Sequence, residues 1–585
     1  MQPESPRITA RWILAIIVLS ALAGGTLHAE PALQPWHAEA VFRKVDPDID
    51  AALQAMSLEE KIGQMLMADS PGAYIEKDDP ARIKLDRLVS EGKIGGIMFL
   101  KGSMFSAAML ANHFQSIAPH PLFISADMER GLAMRLEGAT RFPSAMAVSA
   151  AGSTELSMKM GEAIALEAKA TGLSWNFAPS VDLNSNPLNP VINTRSYGDT
   201  PELASRMADA LIEGMQAKGL LATAKHFPGH GNVTVDSHLA LPVLQADSLQ
   251  LEEYELKPFR SAIRRGVMSV MTGHLAVPKL TGTMDPASIS APIVTGLLRQ
   301  ALGFKGLIVT DALNMKALYD GHNVEEISVL AVAAGNDVLL FSPDPERSFH
   351  AILGAVRNGS ISEERINQSV RRILQAKRWA GLRPKALVDL NRVPEMAAPA
   401  RHIELAESIA ARSITFTGKS RHIFPIRKKK SGSSILHIIL QDRTDPNTGI
   451  GFMAGMDSDW KTDHIRITPG TTTEEYTEAE RIAETAPAIL ISGYLSDPSK
   501  LNSLQLAFIR SLQKLYQETR PFVFVAFGSP YMLRSFPGME NCICTYDAEK
   551  NSEQNALKVL SGRMEPNGKL PVVLLRDAAG EISTP

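Results

Sequence analysis

The order of apolar segments along the chain predicts an α/β fold, a (β/α)8 TIM-like barrel followed by a smaller α/β/α sandwich domain. Eight short apolar runs recur through residues 62–341, and helical patterns lie between several of them, as is typical of parallel strands joined by helices. From about residue 403 the alternation restarts with further apolar runs, which indicates a second layered domain. With 585 residues, the chain is long enough to form both.

The predicted barrel spans residues 45–385. Ser57-Leu58-Glu59-Glu60 has the pattern of a capping box at the start of the domain, and residues 202–218 have the pattern of a helix between two strands. Apolar residues at helical spacing predict a closing helix over residues 362–382. The eight predicted strands are 62–68, 94–100, 122–126, 173–178, 220–224, 267–271, 307–309 and 338–341.

A linker at residues 386–402 and a second domain at residues 403–578 complete the predicted organisation. The strands expected in the second domain are 435–440, 489–492, 522–527 and 542–546, with an amphipathic helix at 504–516. The only two cysteines, Cys542 and Cys544, are two positions apart in one of these strands. Their side chains should project from one face, where a disulfide between them would be strained.

The N-terminal segment predicts export. Arg7 and Arg11 precede an apolar stretch at residues 12–23, and Leu27-His28-Ala29 ends in a small residue suited to signal peptidase. This pattern predicts a signal peptide at residues 1–29. An uncleaved membrane anchor is the alternative, although the stretch is short for a spanning helix. Export without disulfides suits a bacterial periplasm, with no stable membrane insertion after cleavage. The formal charge of −3 gives no basic bias toward nucleic acid.

The densest group of chemically active side chains lies at the C-terminal end of the fifth predicted strand and in the loop after it. Lys225-His226-Phe227-Pro228-Gly229-His230-Gly231 is followed, after four residues, by Asp236-Ser237-His238. Loops just past strand ends hold the catalytic groups of barrel enzymes, and a carboxylate beside a histidine supports general acid/base chemistry near neutral pH. The same side chains are also zinc ligand types, so a metal site is an alternative at this stage.

This pattern resembles the signature of β-N-acetylglucosaminidases in glycoside hydrolase family 3, of the two-domain type with an Asp-x-His dyad. The resemblance implies that His238 is the general acid/base and that Asp236 orients it. It also implies that the enzyme uses neither a metal nor another cofactor. In the segment 306–315, Asp311 matches the family's nucleophile and lies at the end of the seventh predicted strand. From the residues alone, an Asp that caps the next helix is the alternative.

Further segments match the family's sugar-binding elements. The resemblance implies that Asp127, Arg135, Arg195, Lys225 and His226 hold sugar hydroxyls. The chain reads Asp127-Met128-Glu129-Arg130-Gly131-Leu132 where bacterial members commonly read Asp-Gln-Glu-Gly-Gly-Arg. Asp182 and His274 also lie at predicted strand ends, where each either contributes to the site or only braces its neighbours.

The activity implied is retaining, exo-acting hydrolysis of terminal β-linked N-acetylglucosamine from carbohydrates such as peptidoglycan fragments or chitooligosaccharides, through a covalent glycosyl-enzyme. Two alternatives share the fold: a family 3 β-glucosidase, and an N-acetylglucosaminide phosphorylase, whose neutral His base would not repel phosphate. A non-catalytic cell-wall binding protein would need decayed site residues, whereas Asp236, His238 and Asp311 are all present.

Overall fold

The computed structural model describes residues 34–319, 321–418, 423–426, 434–576 and 582–583, so the predicted signal peptide at residues 1–29 lies outside the described residues. The chain forms two compact units. The first contains the described residues of Met1–Arg141, Ser157–Val191 and Ala204–His402, and the second those of Phe142–Leu156, Ile192–Leu203 and Ile403–Pro585. The second unit therefore includes two short segments from within the sequence range of the predicted barrel.

Eight parallel strands form the core of the first unit. They are β1 (Leu66–Gly72), β2 (Gly96–Ser103), β3 (Phe123–Ala126), β4 (Trp175–Asn176), β5 (Thr223–Phe227), β6 (Ser269–Thr272), β7 (Leu307–Thr310) and β8 (Leu339–Leu340). Strands β1 to β4 pair in parallel in this order, β5 to β7 do the same, and β1 also pairs with β8. Single bridges, Trp175 to Leu221 and Val309 to Val338, join β4 to β5 and β7 to β8. The ring is thereby closed, and the predicted barrel is confirmed.

Most of the predicted strand limits differ from the observed ones by a few residues, and two of the differences change how a segment is assigned. Residues 62–68 do not form one strand, because the helix Leu58–Gln64 occupies the first part and β1 begins only at Leu66. The capping box of Ser57 and Glu60 starts this helix, and Ile62 is buried on its inner face. The fifth strand was expected over residues 220–224, whereas β5 covers Thr223–Phe227 and has Lys225 and His226 at its C-terminal end, as expected.

The helices of the first unit surround this sheet, and several of them start with a side-chain cap. Ser362 accepts the N–H of Arg365 at the start of the closing helix, which buries Ile366, Val370 and Ile373. The helices are Ala38–Phe42, Pro47–Ala55, Leu58–Gln64, Pro80–Ser90, Met104–Ile117, Thr154–Ala170, Pro201–Ala217, Leu256–Arg265, Pro278–Thr281, Pro292–Ala301, Val324–Ala334, Pro345–Arg357 and Glu363–Trp379, with Ala400–Ser413 leading into the second unit. Leu136–Glu137 is an additional two-residue strand that pairs with β2.

The second unit is built on a six-stranded sheet. The strands are β9 (Thr415–Thr417), β10 (Ile435–Gln441), β11 (Thr462–Ile467), β12 (Ile489–Leu495), β13 (Phe522–Gly528) and β14 (Cys542–Cys544). Their order in the sheet is β9-β14-β13-β12-β10-β11. All pair in parallel except β9, which is antiparallel to β14. Separate apolar clusters cover the two faces of the sheet, so the predicted three-layer α/β/α sandwich is present.

Helices flank this sheet on both sides: Ala145–Ala150, Ile450–Asp459, Thr473–Thr485, Ser503–Tyr516 and Lys550–Leu560. Cys542 and Cys544 are both buried and unpaired in β14. The edge strand β11 was not predicted, because its sequence Thr-Asp-His-Ile-Arg-Ile is partly exposed and lacks a continuous apolar run. Within the described residues, the helices are all too short or too polar to cross a membrane.

Candidate active site

A buried ionic cluster lies at the carboxyl ends of β3 and β5. Lys225 Nζ lies 2.9 Å from Asp127 Oδ1 and 2.8 Å from Glu129 Oε1, and its side chain is 3% exposed. Arg135 Nη2 donates to the second oxygen of Asp127 at 2.6 Å. Burial opposes the charge on Asp127, but Lys225 and Arg135 outweigh it and lower the pKa of this carboxyl. The predicted sugar-binding residues Asp127, Arg135 and Lys225 are therefore brought together as a fixed set of charged hydrogen-bonding groups.

Asp182 organises the two histidines of the motif. Its buried carboxylate accepts the backbone N–H of His226 at 3.1 Å, the backbone N–H of His230 at 2.7 Å and the hydroxyl of Ser180 at 2.9 Å. His226 Nδ1 lies 2.7 Å from Asp182 Oδ2. Burial works against the charge, but the contacts with His226 and His230 lower the pKa of Asp182. Because Nδ1–H of His226 donates to the carboxylate, the lone pair of a neutral His226 lies on Nε2.

Asp311 directly follows β7 and is only partly buried. Its Oδ1 accepts the backbone N–H of Ala312 at 2.8 Å. Within the described part of the chain, no residue donates a hydrogen bond to the second oxygen. Burial alone would raise the pKa of Asp311, but nearby His226, the Ala312 N–H and Lys225 lower it. The carboxylate is therefore ionised at neutral pH and presents an oxygen without a protein donor, as a nucleophile requires.

His274 lies beside this carboxylate and is held at both ring nitrogens. Its Nε2 lies 3.0 Å from the carbonyl oxygen of Ala312, which can only accept, so Nε2 carries the proton. Its Nδ1 lies 2.7 Å from the hydroxyl of Ser288, which can donate to it. Burial lowers the pKa of His274 and favours this neutral tautomer. The ring thus braces the backbone that follows Asp311.

Asp236 and His238 form a pair on the loop after β5. His238 Nδ1 lies 2.8 Å from Asp236 Oδ1, and the same oxygen accepts the backbone N–H of His238 at 2.9 Å. The His238 side chain is 65% exposed. This geometry fixes the Nδ1 proton on the side of the carboxylate and leaves Nε2 facing solvent. No hydrogen bond links His238 to Asp311 among the described residues.

Ser237, between these two residues, attaches the loop to the barrel. Its hydroxyl lies 3.3 Å from His230 Nε2, and its carbonyl accepts the N–H of Ala317 at 3.4 Å, in the segment that follows Asp311. Burial and the neighbouring His226 lower the pKa of His230 to about 4. His230 is therefore neutral at physiological pH and serves as a hydrogen-bonding support between the loop and the cluster around Asp182.

Two carboxylates of this region were missed by the sequence analysis. Glu129 was quoted only as part of the Asp127 motif, yet it shares the Lys225 ammonium. Glu255 is 4% exposed and lies against Gly229, where a Cβ would come within 3.0 Å of its side chain. Leu251, Glu255 and Phe259 are all buried at a spacing of four residues. A glutamate on the apolar stripe of a helical segment was the signal available in the sequence.

The remaining predicted site residue, Arg195, lies on the short 3-10 helix Asn193–Arg195, in a segment that belongs to the second unit. Its role in holding the sugar stays a prediction. Among the residues that the structure describes, no group of three or more His, Cys, Asp or Glu side chains is arranged to hold a metal ion. His238 and Asp236 pair with each other instead.

A family model, curated proteins and a solved structure all match this chain over more than half of its length. The family described as Glycosyl hydrolase family 3 N terminal domain matches residues 57–376. A Cellulomonas fimi protein named beta-N-acetylglucosaminidase/beta-glucosidase is 30% identical over 547 residues, which cover 90% of this chain and 95% of that protein. Beta-hexosaminidase A of Pseudoalteromonas piscicida is 27% identical, with 90% and 98% covered. A solved glycoside hydrolase family 3 beta-N-acetylglucosaminidase from Paenibacillus sp. strain FPU-7 aligns with a TM-score of 0.75 and 31% identity, over 89% of this chain and 99% of that one.

Proposed function

The chain belongs to glycosyl hydrolase family 3 and is a glycoside hydrolase, and we propose that it is a retaining exo-β-N-acetylglucosaminidase. One observation carries the proposal. An ionised, partly exposed carboxylate, Asp311, lies at the end of β7 beside a buried set of charged hydrogen-bond donors and acceptors. The family to which the chain belongs acts on glycosidic bonds, so this carboxylate is placed for attack on an anomeric carbon.

In the first step, one oxygen of Asp311 forms a bond to the anomeric carbon while the glycosidic C–O bond breaks. The leaving oxygen takes the Nε2 proton of His238 and departs as an alcohol. The products of this step are the alcohol and a covalent glycosyl-enzyme, with His238 now neutral. The His238 side chain is mostly exposed, so packing does not fix its orientation. The Asp236 carboxylate, 2.8 Å from Nδ1, is the group that orients the ring.

In the second step, neutral His238 takes a proton from water, whose oxygen attacks the anomeric carbon and releases Asp311. The acid form of this catalyst is a cation, unlike the neutral carboxylic acid of most retaining enzymes. Asp236 carries the opposite charge and stabilises that cation. The carboxylate partner is thus required for the charge cycle as well as for orientation.

Asp127, Arg135, Lys225 and His226 are proposed to hold the sugar. The first three form a buried ionic network whose donors and acceptors are already fixed, which limits the ordering cost of binding hydroxyl groups. Asp182 keeps the Nε2 of His226 available by holding its Nδ1. Arg195 matches the family's sugar-binding arginine, and the same role is proposed for it from its motif alone.

The proposed substrates are glycans that end in β-linked N-acetylglucosamine, such as peptidoglycan fragments or chitooligosaccharides. The names of two relatives, beta-N-acetylglucosaminidase/beta-glucosidase and beta-hexosaminidase A, support this class. The first name also supports a second candidate, β-glucosidase activity in the same site. Export to a bacterial periplasm, proposed from the signal segment at residues 1–29, would place the enzyme beside peptidoglycan.

Initial rates on 4-nitrophenyl N-acetyl-β-glucosaminide and 4-nitrophenyl β-glucoside test the proposal directly. We expect a higher kcat/KM for the acetylated sugar, no stimulation by inorganic phosphate, and free N-acetylglucosamine of β configuration as the first product. Preference for the glucoside would support the second candidate. A sugar 1-phosphate as the main product would identify a phosphorylase, and an α-configured first product would contradict retention.

A further inference from the structure

The second unit contains a pocket at the carboxyl ends of its central strands, which we name the strand-end pocket. It has a volume of about 430 Å³ and is lined by the ends of β10, β12 and β13, by residues 447–451 and by Glu553. The first parallel strand, β10, has β11 on one side and β12 on the other, so the chain reverses its direction across the sheet at this point. Open α/β sheets bind their ligands in the crevice beside such a switch point.

Three side chains form the floor of the strand-end pocket. Gln441 at the end of β10 is in register with Tyr494 of β12, which is in register with Phe527 of β13. Residues in parallel register project from the same face of a sheet, so the three form one row. The Tyr494 and Phe527 rings are stacked, with centroids 4.6 Å apart. The floor therefore combines a rigid apolar part with the amide of Gln441.

Gln441 carries an unused hydrogen-bond acceptor. The residue is 1% exposed, and its Nε2 donates to the carbonyl of Asp445 at 3.0 Å, which fixes the amide orientation. Within the described residues its Oε1 has no hydrogen-bond partner. A buried acceptor without a partner costs stability, so a ligand that donates a hydrogen bond here would gain binding energy from relieving that cost.

Glu553 supplies a second acceptor in the wall of the pocket. Its Oε1 accepts the Tyr494 hydroxyl at 2.7 Å, and the backbone N–H of Phe452 also interacts with this carboxyl. Any residue larger than glycine at position 451 would fill the space beside Glu553 Oε2, because its Cβ would lie 2.7 Å from that oxygen. The glycine thus leaves access to the carboxyl. A carboxylate in the wall disfavours an anionic ligand.

Arg443 and Asn447 place donors at the rim, where both side chains are exposed. Acceptors inside and donors outside match a neutral ligand whose hydroxyl groups both donate and accept.

We propose that the strand-end pocket is a saccharide-binding site, in addition to the hydrolytic site of the barrel. Inside the pocket, sugar hydroxyls donate to Gln441 Oε1 and to the Glu553 carboxyl, while a ring face packs against the Tyr494 and Phe527 floor. This site goes beyond the proposed function, because it binds carbohydrate without cleaving it.

Hydrogen–deuterium exchange of the full chain, carrying Asp311→Ala so that the probe persists, tests this site. The probe is N,N′-diacetylchitobiose. We expect slower exchange in the peptides that cover residues 441–451 and 494–496. This protection should saturate with probe concentration independently of any protection in the barrel. Gln441→Met, which keeps the shape but removes the acceptor, should raise the apparent Kd at these peptides about fivefold, the loss of roughly one hydrogen bond. Glu553→Gln is a second variant. Its amide oxygen can still accept the Tyr494 hydroxyl, while the carboxylate offered to the sugar is lost.

Arg481→Ala is the matched control, because Arg481 is exposed on the helix Thr473–Thr485 and pairs with Glu478 away from the pocket. It should leave protection of residues 441–451 unchanged. Absence of protection there, or protection that neither Gln441→Met nor Glu553→Gln weakens, would overturn the proposal. Equal protection by sodium phosphate alone would overturn the assignment to a saccharide. Turnover of aryl N-acetylglucosaminides by the unmodified enzyme tests the proposed function separately, so failure of one is distinguishable from failure of the other.

Discussion

Glu255→Gln is expected to stabilise the protein at neutral pH and to leave its stability almost unchanged at pH 4.5. Burial raises the pKa of Glu255 from 4.5 to about 8, so the carboxyl is protonated in the folded chain at neutral pH. Its Oε1 accepts the Ser185 hydroxyl at 3.1 Å, and Oε2 has no partner in the described part of the chain. Glutamine has the size and the uncharged state of the protonated acid, so it reproduces the folded form without a proton to lose.

The sign of the effect follows from the raised folded pKa. Stability from the protonated form is fully present below the unfolded value of 4.5, and it is lost progressively as the pH rises toward about 8, since the unfolded chain ionises first. One pKa unit corresponds to about 1.4 kcal/mol. The cost of keeping Glu255 protonated therefore reaches about 3 kcal/mol at pH 7, and the glutamine variant does not incur it.

Urea unfolding of both proteins at pH 5, 6, 7 and 8 measures this difference. We expect the free energy of unfolding of Glu255→Gln, relative to the parent, to increase steadily over this range. Glu253→Gln is the control on the same helical segment, because Glu253 is 65% exposed and pairs only loosely with Lys257 at 3.3 Å. A pH-independent difference for Glu255→Gln, or an equal pH dependence for Glu253→Gln, would show that Glu255 is not buried as a neutral acid.

Three further predictions concern the barrel site. Asp182→Asn should lower kcat/KM by about 100-fold, because His226 loses the acceptor that fixes its ring; an unchanged pH–rate profile and rate would contradict this role. Asp127→Asn should raise KM more than it lowers kcat, since the network with Lys225 is weakened while the nucleophile remains, and a selective fall in kcat measured by steady-state kinetics would count against it. Asp311→Ala should nearly abolish turnover with an unchanged circular dichroism spectrum, and a 5-fluoro glycosyl inhibitor should label Asp311 in the parent enzyme; mass-spectrometric labelling at another carboxylate would reject the assignment.

The barrel was predictable from the sequence because its strands are short, continuous apolar runs. Charged groups that follow such runs converge at one end of a parallel barrel, so Asp127, Lys225 and Asp311 could be placed in one region before the structure was known. The exact strand ends could not be read from the pattern. Lys225 is polar yet buried within β5, because Asp127 and Glu129 neutralise it, and pairing across strands is invisible in the local sequence.

The roles of individual residues within the site could be assigned only from the structure. The sequence left open whether Asp182 contributes directly or braces its neighbours, and its contacts with His226 and His230 favour bracing. Glu255 escaped notice because a charged residue in a helix is usually exposed, whereas here a raised pKa allows it to be buried in its neutral form. Arg195 was grouped with the barrel residues by its motif alone, and its segment belongs to the second unit.

The proposed mechanism requires His238 as the general acid/base and Asp236 as its support, and the leaving-group dependence of His238→Ala tests both roles. Loss of a general acid should slow cleavage of an alkyl N-acetylglucosaminide by about 100- to 10,000-fold. The 4-nitrophenyl substrate should suffer less in the glycosylation step, because nitrophenolate leaves without a proton. Asp236→Asn should show the same trend more mildly, and azide should rescue His238→Ala by attacking the glycosyl-enzyme without a base. Equal slowing of both substrates, with no response to azide, would show that His238 is a binding or structural residue and not the general acid/base.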